Sequence, residues 1–184
     1  MKRKIFFCTI LACLFCLLPS AWAAPFQDGT SFSISGRNNS DPEYGVSLDG
    51  ILGTIGAKYG SDNINGSDFT SLELNYYYKL PDFPKLPILN NTTIAAGVRR
   101  LEYRDDDNVK PQIGLEGRYF LSKKTFIYDS TFWGKGFHSE EIGIGHRLTD
   151  NIELNLNYYN LEAHDLGNEY PQAEGVAAGV TFKL

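Results

Sequence analysis

From Glu141 to Leu161 the chain reads E-I-G-I-G-H-R-L-T-D-N-I-E-L-N-L-N-Y-Y-N-L, and apolar residues recur at every second position. Ile142, Ile144 and Leu148 alternate with Glu141, Gly143, Gly145 and Arg147. Beyond Thr149-Asp150-Asn151, Ile152, Leu154, Leu156 and Tyr158 alternate with Glu153, Asn155 and Asn157. Successive side chains of a strand point to opposite faces, so the pattern predicts a β-hairpin with one apolar and one polar face. Each arm runs to about ten residues, against the five or six usual in a soluble sheet. That is about the length with which a tilted strand crosses a bilayer. Hairpins of this kind close into a barrel with its apolar face inside in water, or outside in lipid.

The same period recurs along the chain. Phe32 and Ile34 mark a run over 30–37, and Tyr44, Val46 and Leu48 a second, ending at the turn dipeptide Asp49-Gly50. Ile51 to Tyr59 follows, and after a Gly/Asn/Asp/Ser cluster at 60–68, Phe69 to Leu80 alternates most cleanly of all. Pro81, Pro84 and Pro87 interrupt it. Runs at 92–103, 111–121 and 126–132 lead to the hairpin above, and Val176 to Leu184 alternates to the last residue. Arg99-Arg100 disturbs the 92–103 run and predicts a bulge. In 126–132 the apolar face is assigned to Phe126, Tyr128 and Phe132, which turns Asp129 the other way. No helical period occurs beyond residue 23.

These runs predict an all-β, antiparallel, up-and-down transmembrane β-barrel, with ten strands, or eight as the alternative. Loop length separates lipid from water as the outer solvent. Of the alternate connections at 49–50, 81–91, 122–125 and 149–151 all but the proline segment are tight, and those between them, at 38–43, 60–68, 104–110 and 162–172, are longer and polar. Such parity is the habit of outer-membrane barrels, which have short periplasmic turns and long outer loops. Tyr44, Tyr59, Tyr78, Tyr103, Tyr119 and Tyr158 fall near strand ends, as an interfacial girdle requires.

Met1-Lys2-Arg3-Lys4, an apolar run from Ile5 to Leu18 and Ala21-Trp22-Ala23 read together as a secretory signal peptide over 1–23, with one barrel domain over 24–184. Cys8, Cys13 and Cys16 all fall within that signal, so the barrel is expected to form without disulfides or thiolate metal ligands. Ile10-Leu11-Ala12-Cys13 has the look of a lipoprotein box, but the apolar run continues beyond it, and a cleaved signal is the expectation kept. Removal of the signal leaves 14 basic and 22 acidic residues, a net charge of about −8. That balance excludes the basic face with which nucleic acid is bound.

On the polar face the alternation turns Lys58, Glu73, Arg99, Glu116, Arg118, Asp129, Glu141, Arg147 and Glu153 inward. Barrels of about eight strands are filled by their own side chains and open channels need about sixteen. A lumen plugged by paired charges is therefore expected, without general porin activity. No catalytic, cofactor-binding or metal-binding residues are assigned. His138-Ser139-Glu140 has the residue types of outer-membrane lipid A deacylases, but neighbours in a strand face opposite ways. His164-Asp165 has those of barrel proteases without their second acidic pair. His146 is read as an interfacial imidazole. Asp105-Asp106-Asp107 is read as a solvated loop, and Asp62-Asn63-Ile64-Asn65-Gly66 departs from a calcium loop at Ile64.

The signal, the glycine-dotted strands, the connection "KLPDFPKLP" after a tyrosine-rich strand and the closing "EGVAAGVTFKL" resemble the small outer-membrane barrels of the YfaZ-like type. OmpX- and OmpA-type barrels share most of these features. The resemblance implies an outer-membrane address and brings no activity. The expected function is a non-enzymatic outer-membrane barrel that is structural or binds a partner through its loops. Its expected partners are outer-membrane lipid and the barrel assembly machinery. The alternatives are an envelope hydrolase using His138 or His164, and a soluble lipocalin-like carrier.

Overall fold

Ten antiparallel strands pair in sequence order and β1 pairs with β10, closing a barrel. The computed structural model describes residues 30–38, 40–50, 52–81, 91–166 and 170–184. The expected signal peptide with its three cysteines lies outside these residues, as do Ile51, Pro84 and Pro87. The strands are β1 (Ser31–Arg37), β2 (Glu43–Asp49), β3 (Thr54–Ile64), β4 (Ser67–Lys79), β5 (Thr92–Tyr103), β6 (Asp106–Phe120), β7 (Thr125–Gly134), β8 (Phe137–Thr149), β9 (Ile152–Ala163) and β10 (Gln172–Lys183). We call the end of the barrel carrying Ser31 and Lys183 the near end, and the opposite one the far end.

The expected strand count holds, and the expected loop parity does not. The polar stretch 60–68 is strand on both sides of a two-residue turn at Asn65-Gly66, where both residues have positive φ, 52° and 81°. An Asn-Gly pair tolerates that conformation, and its twist matches the flanking strands. The stretch 104–110 is likewise a turn at 104–105 followed by β6, and 135–136 joins β7 to β8. Polar composition marks the part of each hairpin that rises past the apolar belt, rather than a loop. The longest connection, 80–91, lies at the near end. No bulge occurs at Arg99-Arg100, whose pairing with β4 and β6 is unbroken; the one irregular step lies between Arg147 and Thr149, beside a tight turn.

The two faces divide cleanly by chemistry. Leu74 is 53% exposed and Ile142 58%, and Ile55, Ile113, Ile144 and Leu156 are exposed with them on the outer wall. Glu73 and Glu153, one residue away from outward leucines, are buried. Tyr78, Tyr119 and Tyr158 lie on the outer wall as expected, but Tyr103 is buried inside against Phe69.

β7 departs from the expected facing. Phe126, Tyr128 and Phe132 point inward, while Ile127, Asp129 and Trp133 are exposed outside. Both faces of F-I-Y-D-S-T-F-W carry apolar residues, so the period alone does not choose between them. The neighbouring strands do. A Cβ on Gly145 would stand 2.1 Å from the Phe126 ring, one on Gly143 2.6 Å from Tyr128, and one on Gly114 2.3 Å from Phe132. These glycines are the seats of the three rings.

Candidate functional site: the barrel lumen

The lumen is built in three layers. At the far end an apolar cluster fills it: Phe69 from β4, Leu101 and Tyr103 from β5, Phe137 from β8, Leu161 from β9, and Leu166 from the connection to β10. Inward positions of these strands are polar lower down and turn apolar above the belt.

The middle layer is an ion network. Arg37 pairs with Glu43 and, at 2.7 Å, with Asp62; Asp62 also accepts from Tyr159 Oη at 2.7 Å and Ser40 Oγ at 2.6 Å. Lys58 bridges Glu43 at 3.2 Å and Glu141 at 2.6 Å. Across the lumen Arg99 pairs with Glu73 at 2.8 Å, and Gln112 donates to Glu73 at 3.2 Å and to Asn75 at 2.7 Å while accepting from Arg99 Nε at 3.0 Å. Every element of this second group lies on β4, β5 or β6, so pairing register alone brings it together. Arg37 also stacks over Tyr159 at 4.2 Å, and Arg99 over Phe137 at 5.2 Å, joining this layer to the apolar one above.

At the near end Glu153, with no exposed surface, is shared by three cations. Arg147 Nε donates at 3.0 Å, Arg118 lies at 3.6 Å, and Lys183 caps the same carboxylate. Arg118 packs over Phe126 at 4.3 Å. A cavity of about 100 Å³ remains between the layers, lined by Glu43, Lys58, Glu116, Arg118, Tyr128 and Glu141 among others. At about 10–15 Å³ each, that is space for several water molecules. Glu116, buried, faces this space, with Ser130 Oγ at 3.5 Å.

Of the residues expected inside, Lys58, Glu73, Arg99, Glu116, Arg118, Glu141, Arg147 and Glu153 are there. Asp129 is not, because β7 presents its other face. Sequence reasoning missed Arg37, Glu43, Asp62, Lys110 and Lys183. Lys183 was legible, since it continues the polar set of Gly179 and Thr181; Asp62 and Lys110 were hidden by the reading of 60–68 and 104–110 as loops.

The histidines lie apart from this network. His138 faces outward, stacked on Trp133 with ring centres 5.9 Å apart, while Ser139 faces the lumen. His146, exposed outside, has its Nδ1 2.9 Å from Thr125 Oγ1. His164 is exposed beside Tyr170, with Nε2 3.6 Å from Glu162. Asp107 is drawn to Arg100 on the outer rim, away from Asp105 and Asp106.

No family model and no curated protein matches the sequence. Among solved structures the chain is similar to a KdgM porin in complex with disordered oligogalacturonate, at 11% identity over 84% of this chain and 98% of that one, with a TM-score of 0.42. It is similar also to a KdgM porin at 10% identity over the same shares, with a TM-score of 0.40. A third is the outer-membrane expressed OmpT of Vibrio cholerae, at 12% identity over 86% of this chain and 62% of that one, with a TM-score of 0.34.

Proposed function

We propose that the chain is an outer-membrane β-barrel with a closed lumen, serving as a structural or partner-binding element of the envelope rather than as a general porin. The observation that carries the reading is the sense of the two faces. An apolar outer wall round a charged interior is stable in hydrocarbon, where a closed barrel leaves no backbone group unpaired. A lipocalin-like carrier needs the opposite arrangement, with Leu74 inside and Glu73 in water.

Two features support a closed lumen. Buried ions are tolerated when paired, and each charge of the middle layer has an opposite partner, most of them on neighbouring strands, with Lys58 on β3 reaching across to Glu141 on β8. The far-end cluster then puts an apolar barrier in the path of any hydrated solute. The polar far-end strands rise past the apolar belt, as the outer side of such barrels does, so the near end is taken as periplasmic. Those hairpins carry Glu102, Asp105, Asp106 and Asp107, an acidic rim for a partner to meet. The hydrolase alternative has little support, since His138 and Ser139 lie on opposite sides of the wall.

The test combines cell fractionation, heat-modifiable gel mobility and planar-bilayer recording. The expected protein fractionates with the outer membrane, migrates faster unheated than heated, and gives no stable single-channel steps. Large regular steps would overturn the closed lumen; a soluble fraction with a single mobility would overturn the membrane barrel.

A further inference from the structure

The outer belt carries one charge that has no reason to face lipid. Asp129 lies midway along β7, four residues from Thr125 and four from Trp133, paired with Gly117 on β6 and Ile142 on β8. It is exposed, and its carboxylate makes no hydrogen bond or ion pair with the described residues. Around it the wall is Leu115, Tyr119, Ile127, Ile142 and Ile144, all exposed. The other outward charges of the strands, Asp68, Arg100, Glu102, Asp107, Glu140, Glu162 and Glu174, belong to the far-end rim.

A carboxylate in the hydrocarbon belt is costly and marks a place where something other than lipid is met. Two neighbours say what. Gly117, directly beside Asp129, has no side chain, and a Cβ there would come within 2.6 Å of Asp129 Oδ1, so the carboxylate lies over a notch in the wall. Thr131, two residues along the same outward face, offers a hydroxyl donor. Acceptor, notch and donor thus lie side by side on one hairpin, with Thr92 of β5 flanking Gly117 on the same row, while the outward belt positions of β1–β4, β9 and β10 are apolar, alanine or glycine.

We propose that β6–β7 is the face on which a second copy of this chain packs within the membrane, about a twofold axis along the barrel. A twofold contact brings residue i of one copy to j of the other and j to i. A face carrying both an acceptor and a donor then satisfies itself: Thr131 of each copy donates to Asp129 of the other, whose carboxylate lies low on the wall over its own Gly117. No cation is required, and no described strand turns one outward in the belt. The inference rests on the membrane-barrel reading.

The test uses the absence of cysteine beyond residue 16. Ile127→Cys places a thiol beside the proposed contact, and Val46→Cys places one on the outward face of β2, across the ring. In outer membranes under mild oxidation, Ile127→Cys is expected to form a disulfide dimer and Val46→Cys to stay monomeric. Adding Asp129→Leu or Thr131→Val to Ile127→Cys should lower the dimer yield at least tenfold, with heat-modifiable mobility retained. A membrane-bound, heat-modifiable Ile127→Cys that stays monomeric, or cross-links no better than Val46→Cys, overturns the interface alone. So does a yield that neither added substitution changes. A soluble protein without heat-modifiable mobility overturns the membrane reading and the interface with it.

Discussion

Replacing Glu153 by glutamine tests how the near-end cluster is held. Its carboxylate serves Arg118, Arg147 and Lys183 at once. Arg147 is about a third exposed and is screened by water, so it contributes little. Arg118 and Lys183 are more than nine-tenths buried and would be left close together without the carboxylate they share. Removing one partner of a buried pair costs about 3–5 kcal/mol. At a urea slope of about 2 kcal/mol/M, the unfolding midpoint falls by about 2 M. The assay is urea unfolding in detergent or lipid, followed by Trp133, the one tryptophan beyond residue 22. Lys183→Met removes a spoke and leaves the hub two cations, so it should cost less than Glu153→Gln, below about 2 kcal/mol. Combining the two should cost less than their sum, because the second substitution relieves the repulsion left by the first. Asp107→Asn, at the exposed Arg100 pair on the rim, is the control at about 0.2–1 kcal/mol. If Glu153→Gln is no worse than the rim control, a shared buried carboxylate is not what organises the near end.

Other expectations follow from the walls and the plug. Leu74→Arg, on the outer belt, should cost about 2–4 kcal/mol in lipid; a change within about 0.5 kcal/mol, as an exposed site in water would give, counts against the membrane reading. Phe137→Ala empties a buried aromatic from the far-end cluster and should cost about 3–5 kcal/mol by the same urea assay. Gly97→Ala puts a Cβ 2.0 Å from the Leu74 carbonyl oxygen, a backbone atom of the paired strand that cannot swing aside. It should destabilise by about 1–3 kcal/mol or block refolding, whereas Ala96→Gly beside it, facing outward, should cost no more than about 1 kcal/mol.

Much of this architecture is legible in the sequence because a strand side chain has only two directions. Once Glu73 and Leu74 differ in kind, each fixes the sense of the other, and β3–β6 and β8–β10 follow. The reading fails where that contrast is missing. β7 is apolar on both faces, and what decides it is three glycines on other strands, a relation across the sheet that no window of one strand contains. Loop assignment fails for a different reason. Polarity marks contact with water, and a strand that leaves the belt is as polar as a loop while its backbone stays paired. The lumen was half legible: Glu153 was visible as an inward charge, and Arg147 and Lys183 reach it from the paired strands β8 and β10, but only closure of the ring brings Arg118 to it from β6.

Three of the far-end hairpins reverse in two residues, and this restricts how their length can vary. Adding a single residue to one arm would turn every side chain beyond it to the other side of the wall, carrying ions outward and isoleucines inward. Tolerated changes in height must therefore come as matched steps of two residues on each arm. Among related chains the summits of these ribbons should differ by even increments, with Asn-Gly or an equivalent dipeptide carried along at the tip, while the longer connections at 38–42 and 164–171 are under no such parity rule.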